Sequence, residues 1–207
     1  MRQDETRRPR VAGLLLAAGQ GSRLGRPKAL VEIAGQTLVT RGIGLLRAGG
    51  VEPVIVVTGA VSLDLPSVIL VHNPDWRTGM GSSLRAGLAT LPDSADAVVI
   101  ALVDQPLISP EAVRRLIAAF QAGASVAVAS YDGQPRNPVL IARPHWADAA
   151  TAAQGDAGAR PFLRTHPELV TRVECGDTGR PDDLDTSADL DRIADLMGGA
   201  GAVSAQD

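Results

Sequence analysis

Gly19, Gly21 and Gly25 alternate with Ser22, Arg23, Arg26 and Lys28 directly after a short apolar run, Val11 to Ala18. Glycines in such a pattern let the backbone turn tightly and offer its N–H groups to a ligand without obstruction. Arg23, Arg26 and Lys28 fall within six positions of one another and add side-chain cations to those donors. The chemistry that fits is the holding of phosphate, and of a polyphosphate from several sides. Two phosphate motifs are excluded. The dinucleotide fingerprint G-x-G-x-x-G fails because Leu24 stands where the third glycine belongs. The P-loop fails because no Gly-Lys pair follows in register and Lys28 follows Pro27, which disfavours a helix running straight out of the loop. Arg7-Arg8 ahead of the apolar run could open a twin-arginine export signal, but the run is short and ends in Gln-Gly-Ser-Arg rather than at a small-residue cleavage site.

Asp104 is the second residue set up for chemistry. It directly follows Ala97 to Val103, the most strand-like run in the chain. An aspartate at the rim where a buried strand stops tends to find a cation or a donor, although a turn-forming residue ahead of Pro106 is the plainer alternative. In Asp182-Asp183-Leu184-Asp185-Thr186, alternate residues share a face if the segment is extended, so Asp183 and Asp185 would both project toward the rim. A solvated acidic turn capping the last helix is the other reading. His72, His145 and His166 are too scattered for a metal-ligand pattern, and Gly79-Met-Gly81-Ser82-Ser83 is a broken form of G-x-S-x-G, so hydrolase chemistry is unsupported.

These residues need a frame. Gly35-Gln-Thr37 opens a helix that Gly49-Gly50 closes, and Val51 to Val57, Val68 to Val71, Ala97 to Val103, Ser125 to Ser130, Val139 to Ala142 and Leu169 to Val173 read as further strands. Leu84, Leu88 and Leu91 mark a helix following Gly79 to Ser83, and Ser109-Pro110 starts another. From Thr186 a Thr-x-x-Asp cap leads a final helix with Leu190, Ile193, Ala194 and Met197 on one stripe. Strands alternating with helices imply an α/β sheet covered on both faces, with ligands at the carboxyl ends of the strands.

The 207 residues suit one domain, expected over 10–197, with disordered tails at 1–9 and 198–207. A net charge of −3 and 2% aromatic residues argue against a dedicated nucleic-acid binder. Residues 1–50 carry nine Arg or Lys against three acids, and the remainder eleven against twenty. A basic loop with acids supplied from elsewhere suits an anionic substrate plus a divalent cation. The single cysteine, Cys175, excludes an internal disulfide and a thiolate zinc site and makes a reducing cytoplasm the default. No apolar stretch approaches the ~20 residues that span a bilayer.

LAAGQGSRLGRPKAL, residues Leu16 to Leu30, resembles the L-A-A-G-x-G-x-R-x-G-x-x-K signature of the Rossmann-like nucleotidyltransferases. From about Val11 to Leu196 the chain is similar to their MobA-like group, most of all to molybdenum cofactor cytidylyltransferases. Lys28 is the only lysine, so a chain that elsewhere uses arginine keeps a compact, flexible ammonium at this place. The resemblance implies a three-layer α/β/α Rossmann-like nucleotidyltransferase fold with a mostly parallel mixed sheet. It implies catalytic roles for Lys28, Arg23 and Asp104. Nucleotide contacts would come from Leu16, Ala17, Ala18, Gly19, Gly21, Ser22, Arg23, Lys28 and Asp104, with Gly81, Ser82 and Ser83 near the base and ribose unless they merely cap the helix. Acceptor contacts would come from loops holding Asn137, Pro138, Asp156, Gly158 and Arg160, a surface arginine being the alternative for the last.

Asp104 and Asp185 would hold Mg²⁺, or Mn²⁺. Asp183 to Asp189 resembles the family's D-x-D-T-P-x-D element, with Ser187 where proline is usual. The implied reaction moves CMP from CTP to the terminal phosphate of molybdenum-molybdopterin, giving the cytosine dinucleotide and pyrophosphate. CTP is preferred to GTP because guanylyl-transferring relatives usually carry glycine where Ala18 stands. A molybdenum hydroxylase or its cofactor-insertion chaperone would receive the product; no nucleic acid and no membrane is implied. The alternatives are guanylyl or other nucleotidyl transfer to another phosphorylated acceptor such as a sugar phosphate, a non-catalytic cofactor carrier, and a redox enzyme, which the failed glycine fingerprint disfavours.

Overall fold

Every residue of the first strand, β1 (Val11–Leu16), is buried, so a continuous apolar run rather than an alternating one encodes it. In a computed structural model that describes residues 9–202, β1 is followed by a small hairpin, β2 (Glu32–Ile33) and β3 (Gln36–Thr37), and by β4 (Val54–Thr58) and β5 (Ile69–His72). Then come β6 (Ala97–Leu102), β7 (Val126–Tyr131), β8 (Gln134–Ala142) and β9 (Val170–Glu174). The large sheet has the order β5-β4-β1-β6-β8-β7-β9. β1 pairs in parallel with β4 and β6, whereas β8 runs antiparallel to β6 and β7, so the sheet is mixed and mostly parallel as expected. Leu16 is level with Leu102, so the glycine loop and the Asp104 segment leave adjacent strands at the same edge.

Alternation along β1 divides the core. Leu15 joins one cluster with α1 (Leu38–Ala48), α3 (Pro110–Gln121) and α6 (Ser187–Ala202), through Leu46, Leu116 and Ile193. Leu14 and Leu16 join the other with α2 (Met80–Leu88), α4 (Trp146–Ala152) and α5 (Arg160–Thr165), through Leu84, Ala149 and Phe162. These are the three layers. Thr37 caps α1 by accepting the Thr40 N–H at 3.3 Å. Ser109 precedes α3 with Pro110 in its first turn, but Ser109 makes no capping bond; its Oγ is buried without a partner among the described residues.

Three expectations change. The second helix begins at Met80, not after Ser83, so Gly81, Ser82 and Ser83 form its first turn. β8 begins at Gln134, which places Arg136, Asn137 and Pro138 in a strand rather than a loop; Asp132 and Gly133, at φ 52° and 72°, turn β7 directly back into it. α6 continues to Ala202, past the expected domain end at 197, and the rest of the expected tails, Pro9 apart, lies outside the described residues. The short hairpin β2–β3 and the brief helices α4 and α5 were not anticipated.

Gly81 lets α2 start against the backbone of the segment after α4: a Cβ there would stand 2.8 Å from the Ala153 carbonyl carbon and the Gln154 nitrogen. Backbone cannot yield as a side-chain tip can. Gly81→Ala is expected to lower stability by about 1–3 kcal/mol, read from the midpoint of urea unfolding.

Candidate functional site

The loop after β1 is closed by Gly21, at φ 61°, where a Cβ would sit 2.3 Å from the Arg26 carbonyl oxygen. Two single 3₁₀ turns follow, Ser22–Leu24 and Lys28–Leu30, and fully buried Ala29 pins the second. That anchor aims the neighbouring Lys28 inward. Its Nζ donates to Asp104 Oδ2 at 2.7 Å and to Asp185 Oδ1 at 2.5 Å, with the lysine side chain 15% exposed. Burial alone would lower the ammonium's pKa, but Asp104 and Asp185 outweigh it and hold the pKa above the ordinary lysine value. The other Asp104 oxygen, Oδ1, is buried with no hydrogen-bond partner among the described residues.

Asp185 reaches this cluster through a run of specific ties. Leu184 is fully buried in the α1/α3 core and donates its N–H to the Asp104 carbonyl at 2.8 Å. Gln105 Nε2 donates to Asp183 Oδ1 at 2.8 Å, and burial pushes that carboxyl above its ordinary pKa in spite of the bond. Asp189 then brackets the end: its Oδ2 accepts from the N–H groups of Asp185 and Thr186 and from the Thr186 hydroxyl, at 3.2, 3.0 and 2.8 Å. The Thr-x-x-Asp cap therefore forms even with Ser187 in the place of proline.

Beside the cluster lies a cavity of about 890 Å³. Leu16, Asp104, Asp183, Asp185, Asn137, Gly158 and Arg160 all line it, so the sheet gathers residues from distant parts of the sequence. Pro138 and Asp156 do not line it; Pro138 is buried, and Asp156 lies beside Gly79. Arg136, Arg164 and Arg172, from β8, α5 and β9, join Arg160 on the cavity. All four arginines are exposed and make no ion pair among the described residues. Arg164 and Arg172 were missed, because nothing in the sequence around them reveals that α5 and β9 converge.

The remaining expected contacts are placed as follows. Gly19, Ser22 and Arg23 are exposed on the loop. Ala17 donates to the Val57 carbonyl at 2.9 Å, and Ala18 accepts from Ala60 at 3.1 Å with its methyl against Gly59. Ser82 and Ser83 are buried, and Asn73 Nδ2 donates to both hydroxyls, at 2.8 and 3.0 Å. Asn73 reads as a turn former in the sequence; in the structure it fixes the start of α2. No three His, Cys, Asp or Glu side chains converge as a ready-made metal cage among the described residues, and no described helix is long and apolar enough to cross a membrane.

Residues 13–170 match the MobA-like NTP transferase domain. The chain belongs to that family. Among curated relatives, nicotine blue oxidoreductase of Paenarthrobacter nicotinovorans is 39% identical, over 91% of this chain and 98% of its own. Molybdenum cofactor guanylyltransferase of Rhodobacter capsulatus is 38% identical over 56% of this chain and 62% of its own. Among solved structures, the Rv0371c homologue from Mycobacterium sp. strain JC1 superposes with a TM-score of 0.80, 31% identical over 90% of this chain and 96% of that one. Rv0371c of Mycobacterium tuberculosis in complex with manganese gives 0.70, 25% identical over 90% and 98%.

Two outcomes test this geometry. Asp189 has its pKa lowered from 3.8 to about 2 by the Thr186 hydroxyl, then by Arg192 and the amides of Thr186 and Asp185. A depressed carboxyl contributes stability above its unfolded pKa and loses it as pH falls through the folded value. Thermal melts from pH 5 down to about 2 should show this loss, and Asp189→Asn should flatten it. Asn73→Ala, which strips two buried hydroxyls of their donor, should cost about 1–3 kcal/mol in urea unfolding.

Proposed function

We propose that the protein is a metal-dependent nucleotidyltransferase that moves CMP from CTP to the terminal phosphate of molybdopterin carrying molybdenum. The observation that carries this reading is the Lys28–Asp104–Asp185 cluster, set between the glycine loop and a cavity bordered by four arginines with no ion pair among the described residues. The family supports nucleotidyl transfer, and the R. capsulatus relative supports a molybdenum-cofactor acceptor. CTP rather than GTP rests on Ala18 in the signature.

Asp104 and Asp185 are the residues that would hold a divalent ion. The unpartnered Asp104 Oδ1 and a donor set of two carboxylates fit one whose other positions go to water and phosphate oxygens, and a relative's structure contains manganese. Magnesium is our reading of the physiological ion; when bound it neutralises charge on the reacting phosphate. The loop amides, Arg23 and Lys28 hold the triphosphate. Arg136, Arg160, Arg164 and Arg172 attract and orient an anionic acceptor. The acceptor phosphate is already an anion near pH 7, so no general base is required, and none of the three histidines lines the cavity. Catalysis is then positioning plus charge neutralisation. A cytoplasmic location and delivery to a molybdenum hydroxylase belong to the same reading.

One relative favours a second reading. The P. nicotinovorans protein, similar over nearly its whole length, bears an oxidoreductase's name, so a redox reaction on this same frame is the rival.

Pyrophosphate release with molybdopterin cofactor and metal, run in parallel with CTP, GTP, ATP and UTP, tests the proposal. Release with CTP alone is expected. Release with GTP alone would overturn the use of Ala18, while silence with all four and a nicotinamide-dependent absorbance change would select the redox reading. Asp104→Asn should lower turnover by about 10²-fold or more without unfolding the protein. Lys28→Met should also cripple turnover, yet bind Mn²⁺ more tightly than the wild type in nucleotide-free electron paramagnetic resonance titrations, because the ammonium no longer neutralises the two carboxylates.

A further inference from the structure

On the opposite face of the sheet from the acceptor cavity lies a second cavity, of about 570 Å³. It is walled by α1, the Leu65-Pro66 segment and the stretch from Val103 to Pro110. Arg41 of α1 lines it and is partly buried. Its Nε is shielded from solvent and has no hydrogen-bond partner, and no other arginine among the described residues has a guanidinium nitrogen in that state. No Asp or Glu lines the cavity. Burial lowers the Arg41 pKa, with no charged neighbour among the described residues acting on it. Gln105, 6% exposed, lines the cavity as well; its Nε2 is held by Asp183, while its Oε1 is buried and without a partner.

A guanidinium stays charged at any ordinary pH, so it cannot escape desolvation by losing its proton. A shielded N–H on such a group costs free energy until an acceptor meets it. The four arginines of the acceptor cavity face water and carry no such debt of hydrogen bonding. Arg41 differs from them in being shielded within a cavity whose walls include Leu38, Leu65 and Ile108; Gln36, Thr40 and Arg47 line it too, but Arg47 is exposed and donates to the Ser67 carbonyl. The fork of a guanidinium matches the two oxygens of a carboxylate or phosphate, and the free Gln105 Oε1 accepts from an N–H or O–H.

We propose that this cavity is a binding site for a small organic oxyanion, a carboxylate or phosphate on an apolar body, with Arg41 taking the anionic head and Gln105 accepting from a donor group of the ligand. Gln105 lines both cavities and holds Asp183, so the site is physically joined to the acid cluster through one side chain.

The test is read without metal, nucleotide or turnover, so it stands apart from the proposed transfer reaction. The full chain is titrated with phenyl phosphate and with 4-hydroxybenzoate, and amide shifts are followed by ¹H–¹⁵N NMR. Saturable shifts are expected at Arg41, Gly44 and Gln105 with at least one probe, the probe that binds identifying the head group. Arg41→Met should weaken binding by about tenfold or more, and Arg41→Lys, which keeps the charge but not the fork, should weaken it less. Arg160→Met should leave it unchanged. Absence of saturable binding with both probes, equal affinity in Arg41→Met, or loss of binding in Arg160→Met would overturn the proposal; should Arg41→Met prove unfolded, the Arg41→Lys and Arg160→Met titrations decide it.

Discussion

One ammonium between two carboxylates is the constraint that orders this molecule. Lys28, Asp104 and Asp185 lie far apart in the chain, with separations of 76 and 157 positions, yet one nitrogen touches both acids. Lys28 and Asp104 are mostly buried, and a charge in such a place is stable only while its opposite is present. The fold must therefore deliver all three together. Parallel pairing of β1 with β6 brings Lys28 and Asp104 to one edge, and the buried Leu184 draws Asp185 up to them.

The same edge divides two environments. On the face covered by α2, α4 and α5 the acids look across a wide cavity toward exposed arginines; on the face covered by α1 and α3 a smaller cavity surrounds a shielded one. Gln105 stands between them, its amide nitrogen engaged with Asp183 and its oxygen unpartnered. Chemistry on an α/β sheet gathers where strands end, and here the strand end has two accessible sides.

Much of this was legible in the sequence because the signals were local. A glycine loop after an apolar run, an aspartate after another, and a Thr-x-x-Asp cap each lie within a few residues and drew attention to Lys28, Asp104 and the Asp183–Asp185 segment; it was the family resemblance that singled out Asp185. The strand boundaries were less legible. Tyr131-Asp-Gly-Gln134 carries the Asp-Gly turn that makes a hairpin, but the proline at 138 masked how far β8 extends. The start of α2 lies earlier than its leucine spacing indicates, because Gly81 belongs to the first turn and packs closely against the backbone at Ala153. Arg164 and Arg172 belong to the site only through the convergence of α5 and β9, a tertiary fact with no periodicity or motif to announce it.

The bracket that Asp189 forms around Asp185 also bears on synthesis. The ribosome makes the glycine loop first and β6 about midway, and β1 and β6 can pair, bringing Lys28 and Asp104 to one edge, while the second half is still unmade. Asp185 emerges 157 residues after Lys28, and its placement awaits the burial of Leu184 and the first turn of α6. A nascent chain thus holds the lysine with one counter-charge over the stretch of elongation between Asp104 and Asp185. The second carboxylate arrives only after translation has passed α6, so the completed triad is a mark of a chain folded through that helix.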